Sequence, residues 1–126
     1  MEFPADLKYT KDHEWIRVEG DMGVVGITDY AQGELGDVVF VELPAKGTKL
    51  EQGKQFGTIE AVKTVSDLFA PVGGEVVEVN EALKDSPEVV NKDPYKGGWM
   101  VKMKISSKSE LSTLLDSAKY QEMVGH

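Results

Sequence analysis

The sequence predicts a mainly β fold, a small sandwich or barrel, on three observations. Apolar residues alternate with polar ones at period 2 from Tyr9 to Ile105. That alternation is interrupted at short intervals by Gly, Pro, Asn and Asp, which separate short strands by turns. Helical spacing is confined to the connections and the C-terminal end. With 126 residues, 40% of them apolar, the chain reads as one domain over residues 1–126, large enough to bury a core without disulfide or metal staples.

The elements follow in order. Glu14 to Val18 and Met22 to Ile27 flank Glu19, Gly20 and Asp21 and form a hairpin. His13, beside Trp15, reads as a packed, hydrogen-bonded residue on this first strand, and Trp15 and Trp99 as sheet-packing residues. Thr28 can cap a short helix through Tyr30 and Ala31 to Leu35, stopped by Gly36. Gly33 reads as helix or turn punctuation. Asp37 to Leu43 is β-rich and ends at Pro44, after which Pro44 to Gly53 reads as a solvated connection.

Gln55 to Ala70 holds 16 residues with one glycine and no proline. Strands in small domains run about 5–6 residues, so this stretch should fold back near its middle. That middle is Ala61, Val62, Lys63 and Thr64, residue types that a type I turn accepts, and it lifts Lys63 to the tip of a hairpin. Glu75 to Val79 follows the Gly73-Gly74 turn. Asn80 can cap a helical turn through Leu83, limited by Pro87, and Trp99 to Ile105 closes the strand series. From Ser109, Leu111, Leu114 and Leu115 show helical spacing, and Ala118 to Val124 continues it as a second short helix. Residues 109–124 are therefore expected to pack on the sheets as a C-terminal helical segment.

Composition narrows the function. There is no cysteine, and the histidines are His13 and His126, which leaves almost nothing for a thiolate metal site, a multi-histidine centre or a Ser-His-Asp triad. Conventional enzyme chemistry is not expected. A net charge of −8 argues against nucleic acid and anionic membrane surfaces as partners. No apolar run approaches the roughly 18 residues that span a bilayer. Met1 to Leu7 carries Glu2 and Asp6 and lacks an apolar h-region, so a bacterial cytoplasmic location is expected, or the mitochondrial matrix if a transit peptide has been removed.

The window Gly57-Thr58-Ile59-Glu60-Ala61-Val62-Lys63-Thr64, with Asp67 and then Ala70-Pro71-Val72-Gly73-Gly74-Glu75-Val76, resembles the attachment segment of lipoyl-carrier domains. Leu7-Lys8-Tyr9, His13-Glu14-Trp15, Gly26-Ile27-Thr28-Asp29-Tyr30-Ala31-Gln32 and Leu35 to Pro44 extend the likeness. So do Asn80, Leu83, Pro94-Tyr95 and Gly98-Trp99-Met100. Over roughly residues 7 to 124 the chain resembles the H-protein family of the glycine cleavage system. Biotin carriers share the hairpin but set methionines on both sides of the lysine, where this chain has Val62 and Thr64. Val101-Lys102-Met103-Lys104 is the nearest decoy, and its alternation is that of an ordinary half-buried strand. Lipoyl domains of 2-oxo acid dehydrogenases carry Asp-Lys-Ala at the tip and are joined to other domains by linkers.

The resemblance implies a barrel-sandwich hybrid of two small antiparallel sheets with short helices, and covalent lipoic acid on Lys63 attached by a lipoate ligase or transferase. It implies a carrier, expected to be monomeric, that takes an aminomethyl group from a pyridoxal-phosphate glycine decarboxylase. That group passes to a tetrahydrofolate-dependent aminomethyltransferase, and electrons pass to a dihydrolipoyl dehydrogenase containing FAD. A cleft is expected to shelter the loaded arm, with Glu14 and Asp67 facing its cationic amine and Ile27, Ala31, Leu35 and Thr64 as walls. Many relatives place a histidine where this chain has Glu34, which either adds a third carboxylate or faces water. Two alternatives accompany this reading: a relay donor of lipoyl groups to other carriers, and an interaction protein on the same scaffold that is never modified.

Overall fold

A computed structural model describes residues 1–125. Among them, nine strands form two antiparallel sheets, neither closed into a barrel. The larger sheet has the order β1-β2-β3-β9-β8-β5, with β1 Lys8–Tyr9, β2 Glu14–Glu19, β3 Met22–Ile27, β5 Lys49–Leu50, β8 Gly74–Val79 and β9 Val101–Ile105. The smaller has the order β4-β6-β7, with β4 Val38–Glu42, β6 Gln55–Ala61 and β7 Val65–Phe69. β2 and β3 are joined at Gly20 and Asp21, where Gly20 takes the positive φ that the tight turn needs.

The inner faces of both sheets meet in one core that includes Ile16, Val25, Ile59, Leu68, Val76 and Met103. Alternation along β2 and β3 sends the neighbouring residues Trp15 and Val24 to the opposite face. There they join Leu7, Tyr9, Tyr95 and Tyr120 in a second, aromatic cluster. The indole Nε1 of Trp15 donates to the carbonyls of Ile27 and Pro94, and Arg17 lies over its ring while donating to the Tyr95 carbonyl. This second core is why the larger sheet is covered on both faces.

Helix α1 spans Asp29–Leu35. The Thr28 Oγ1 accepts the Ala31 N–H at its start, and Gly36 ends it at φ 80°. Gly33 lies inside this helix rather than at a boundary. The connection from Pro44 to Gly53 is not wholly solvated, because β5 pairs with β8 and buries Leu50. The helical turn after β8 is α2 Ala82–Asp85. Asn80 lies two residues ahead of it, and its Oδ1 accepts the Ala82 N–H. A further helix, α3 Val89–Lys92, has no counterpart in the sequence reading; its four residues are too short to show a period. β9 begins at Val101, two residues later than expected.

The C-terminal segment departs most from the helical spacing of its leucines. A 3₁₀ helix covers Lys108–Thr113, and Leu115 pairs with Tyr9 through reciprocal backbone hydrogen bonds. Helix α4, Ser117–Val124, then starts under an Asp116 cap and delivers Tyr120 into the aromatic cluster.

Candidate functional site

β6 and β7 form the hairpin expected around Lys63. Glu60 opposes Val65, and the Ala61 N–H donates to the Thr64 carbonyl at 2.8 Å, which closes a two-residue loop of Val62 and Lys63. Neither loop residue has a positive φ, as a type I geometry requires. A second bond fixes the tip from the side: the Val62 N–H donates to the Asp37 carbonyl at 3.0 Å. The Gly36 to Val38 stretch is held in turn by Asn91, whose Nδ2 donates to the Gly36 carbonyl and whose Oδ1 accepts the Val38 N–H. Lys63 is exposed, and its stem leans over Gly36, where an added Cβ would stand 3.5 Å from the lysine Cε.

A cleft of about 140 Å³ runs between α1 and the free edge of β7. It brings together Glu14, Ile27, Ala31, Glu34, Leu35 and Asp67, all of them singled out in the sequence. Thr64 stands apart, in the hairpin turn. The sequence reading missed Asp12, Ile59, Ser66 and Leu68, which also line the cleft. Ile59, Ser66 and Leu68 share the inward parity of the β6–β7 register, a signal available once the turn is placed.

The carboxylates are not equivalent. Glu14 is buried and fully engaged: Oε1 accepts from the Thr10 hydroxyl at 2.6 Å and Oε2 accepts the Phe69 N–H at 3.2 Å. Loss of water pushes its pKa up to about 7, against the pull of those two hydrogen bonds. Asp67 is exposed, and its Oδ1 accepts from the Gln55 amide. Glu34 is also exposed and accepts from the Tyr30 hydroxyl at 3.3 Å.

An exposed lysine on a doubly anchored tip, next to a cleft with carboxylates on its wall and rim, suits a tethered arm. Residues 7–126 match the glycine cleavage H-protein family over nearly the whole chain. The chain belongs to that family. Its members carry a lipoyl group and are carriers, not enzymes. The H protein of the glycine cleavage system from Bacteroides fragilis is 60% identical over 124 residues, 98% of each chain. That of Staphylococcus carnosus is 57% identical over 125 residues, 99% of each. The crystal structure of an H protein from Mycobacterium marinum superposes with a TM-score of 0.90 at 42% identity, covering 98% of this chain and 99% of that one. The mainly β, two-sheet architecture is thus that of an H protein.

His13 borders the cleft without joining its carboxylates. It precedes β2 rather than lying on it and, among the described non-glycine residues, has the positive φ, 74°. Its Nδ1 lies 2.9 Å from the Tyr120 hydroxyl, which lies 2.7 Å from Thr28 Oγ1. Thr28 is buried, and its Oγ1 accepts the Ala31 N–H while sharing a hydrogen bond with the Tyr120 hydroxyl. The Tyr120 hydroxyl thus bridges the Thr28 side chain and the His13 ring. Burial lowers the His13 pKa, opposed by Asp12 and Glu34. The relay ties α4 to the cap of α1, the helix that forms one wall of the cleft. No described helix is long and apolar enough to cross a membrane.

Proposed function

We propose that this chain is the lipoyl-bearing carrier of a glycine cleavage system, with Lys63 as the attachment residue. In this reading it serves in turn a pyridoxal-phosphate glycine decarboxylase, a tetrahydrofolate-dependent aminomethyltransferase and an FAD-containing dihydrolipoyl dehydrogenase. A lipoate ligase or transferase loads it in the bacterial cytoplasm. The observation that carries the proposal is the exposed Lys63 at a hairpin tip pinned by Asp37 and Thr64, beside a cleft already built. The lipoyl group supplies a dithiolane that is reduced as it accepts a one-carbon unit.

This chain's own residues bind and orient. The amide at Lys63 removes its charge and tethers the cofactor, so each encounter with a docked enzyme becomes intramolecular. The lysine stem lies beside Gly36, the residue after Leu35 of the cleft lining. Ile27, Ala31 and Leu35 exclude water, while Asp67 and Glu34 at the rim offer charge-assisted hydrogen bonds to a cationic cargo. Glu14, buried and titrating near neutrality, accepts a proton or a hydrogen bond at the cleft wall. The absence of cysteine leaves no protein thiol to exchange with the cofactor disulfide.

The test is incubation of the unmodified protein with a lipoate ligase, lipoate and ATP, followed by intact mass and peptide mapping. A gain of roughly 190 Da located on Lys63 is expected, with the net charge of −8 becoming −9, and Lys63→Arg should take up nothing. Modification at Lys54 or Lys102 with Lys63 untouched would overturn the assignment.

A further inference from the structure

Glu14 borders two cavities. It lines the arm cleft, and it also lines a second, larger cavity of about 380 Å³ together with Thr10 and Phe69, which do not line the cleft. The groups that hold its carboxyl therefore come from outside the cleft. Thr10 has no choice in what it donates to. Its Oγ1 accepts the Asp12 N–H at 3.2 Å and the Glu14 N–H at 3.1 Å, which fills both lone pairs of the hydroxyl. Its one proton goes to Glu14 Oε1 at 2.6 Å. The Phe69 N–H takes Oε2 at 3.2 Å, so each carboxylate oxygen carries one bond from the protein and keeps a further lone pair.

We propose that Thr10 is the positioning residue for Glu14: its hydroxyl, fixed as a donor by the turn it closes, holds the carboxyl ionised and in place for a cationic amine in the arm cleft. Thr10 does this without touching the amine. The proposal rests on the reading that Lys63 carries the arm. A donor to the charged form of an acid favours that form, and Glu14 depends on one, because burial works against its charge. Thr10 is the strongest of the pulls that oppose burial, and the Phe69 N–H is the next. Without the hydroxyl Glu14 would be mostly neutral at pH 7 and would offer the amine little charge. The other titratable groups around it stay as they are when that hydroxyl is removed. Asp12, His13, Glu34 and Asp67 share the arm cleft with Glu14, Lys11 and Tyr9 share the second cavity, and Tyr120 approaches from α4. Of these, Asp12 adds to the rise in the Glu14 pKa.

The experiment titrates the unmodified chain through neutral pH by NMR with carbon-13 in the glutamate carboxyls, the Glu14 signal being assigned by its loss in Glu14→Gln. The Glu14 midpoint is expected near pH 7 in the wild type, about one pH unit higher in Thr10→Val, and back at the wild-type value in Thr10→Ser. At pH 7 the neutral fraction of Glu14 then rises from about half to about nine-tenths. The lipoylated carrier loaded with an aminomethyl group is followed by its decay, in which one water leaves thiol, formaldehyde and ammonium. Thr10→Val should decay roughly twofold faster at pH 7, and the same substitution should add nothing in a Glu14→Gln background. An unmoved midpoint in Thr10→Val would overturn the proposal, as would faster decay that persists in the Glu14→Gln background. Valine also leaves the Asp12 and Glu14 N–H groups without their acceptor, and if that variant melts early the wild type decides alone. Its Thr10 Cβ and Phe69 amide shifts should follow the Glu14 midpoint, and a flat Thr10 response would overturn the proposal. Failure of a lipoate ligase to acylate Lys63 would overturn the underlying reading instead, and it is visible without any variant.

Discussion

The two sheets share antiparallel pairing and a common core, yet they are covered differently. Along β3 of the larger sheet, Val24 enters the aromatic cluster and Val25 the central core, so both faces are packed. In the smaller sheet Ile59 is buried while Phe40, Glu60 and Val65 face outward in one row. A sheet packed on both sides gains rigidity; a sheet packed on one side has a surface to spend on partners. Lys63 stands at the tip of the second kind, pinned by the Asp37 carbonyl just ahead of β4.

Paired truncations break or sharpen that contrast. Ile59→Ala should cost about 4 kcal/mol in urea unfolding, whereas Val65→Ala should stay within about 0.5 kcal/mol. In the larger sheet Val24→Ala and Val25→Ala should each cost about 2 kcal/mol. A cheap Val24→Ala would show that the aromatic cluster adds no stability and that the two sheets differ less than their burial indicates.

Gly57 and Gly74 probe close approach in each sheet. A Cβ at Gly57 would run into the Glu42 carbonyl oxygen of β4, and one at Gly74 into the Lys104 carbonyl oxygen of β9. Gly57→Ala is expected to cost about 3 kcal/mol and to slow lipoylation, because it pries β4 from the lysine hairpin. Gly74→Ala should cost a similar amount and leave lipoylation of the folded fraction unchanged.

Glu14 joins the sheets, since a β2 carboxylate accepts the N–H of Phe69 on β7. Its pKa is raised from 4.5 to about 7, so the folded state binds more protons than the unfolded state between those values. Stability from this group is therefore full at low pH and is lost as pH rises through that window, by about 3 kcal/mol. His13, with its pKa lowered, acts in the opposite sense and withdraws stability as pH falls below 6.5. Glu14→Gln should flatten the decline toward neutral pH in thermal melts from pH 5 to 8; an unchanged slope would remove Glu14 as its source.

Of the polar-group variants, Tyr120→Phe should produce the smaller change. It deletes the hydroxyl between His13 and Thr28 and should cost about 1–2 kcal/mol. His13 Nδ1 then loses its hydroxyl partner, which nitrogen-15 shifts of the ring report directly. A ring unchanged in both shift and pKa would show that α4 does not reach the cleft through this relay.

Strand positions were legible because each strand's alternation is local, and the turn at Lys63 because a stretch from Gln55 to Ala70 is too long for one strand. The six cleft residues named from family resemblance lie together, although nothing in their spacing along the chain required it. Thr64 shares the parity of Ser66 and Leu68 but sits in the hairpin turn, outside the residues that line the cleft. The leucines at 111, 114 and 115 show helical spacing, but Leu115 instead pairs with Tyr9, a partner more than a hundred residues away.

By itself the sequence determined the β alternation, the helix cap at Thr28, the chain reversal that exposes Lys63 and the acidic charge, since each depends on neighbours along the chain. Only the tertiary structure decided that Glu14 is desolvated while Asp67 is not, that His13 is held by Tyr120, and that one sheet is covered twice and the other once. Those outcomes depend on which distant segments exclude water from a given group, and solvent exclusion is a property of the packed whole.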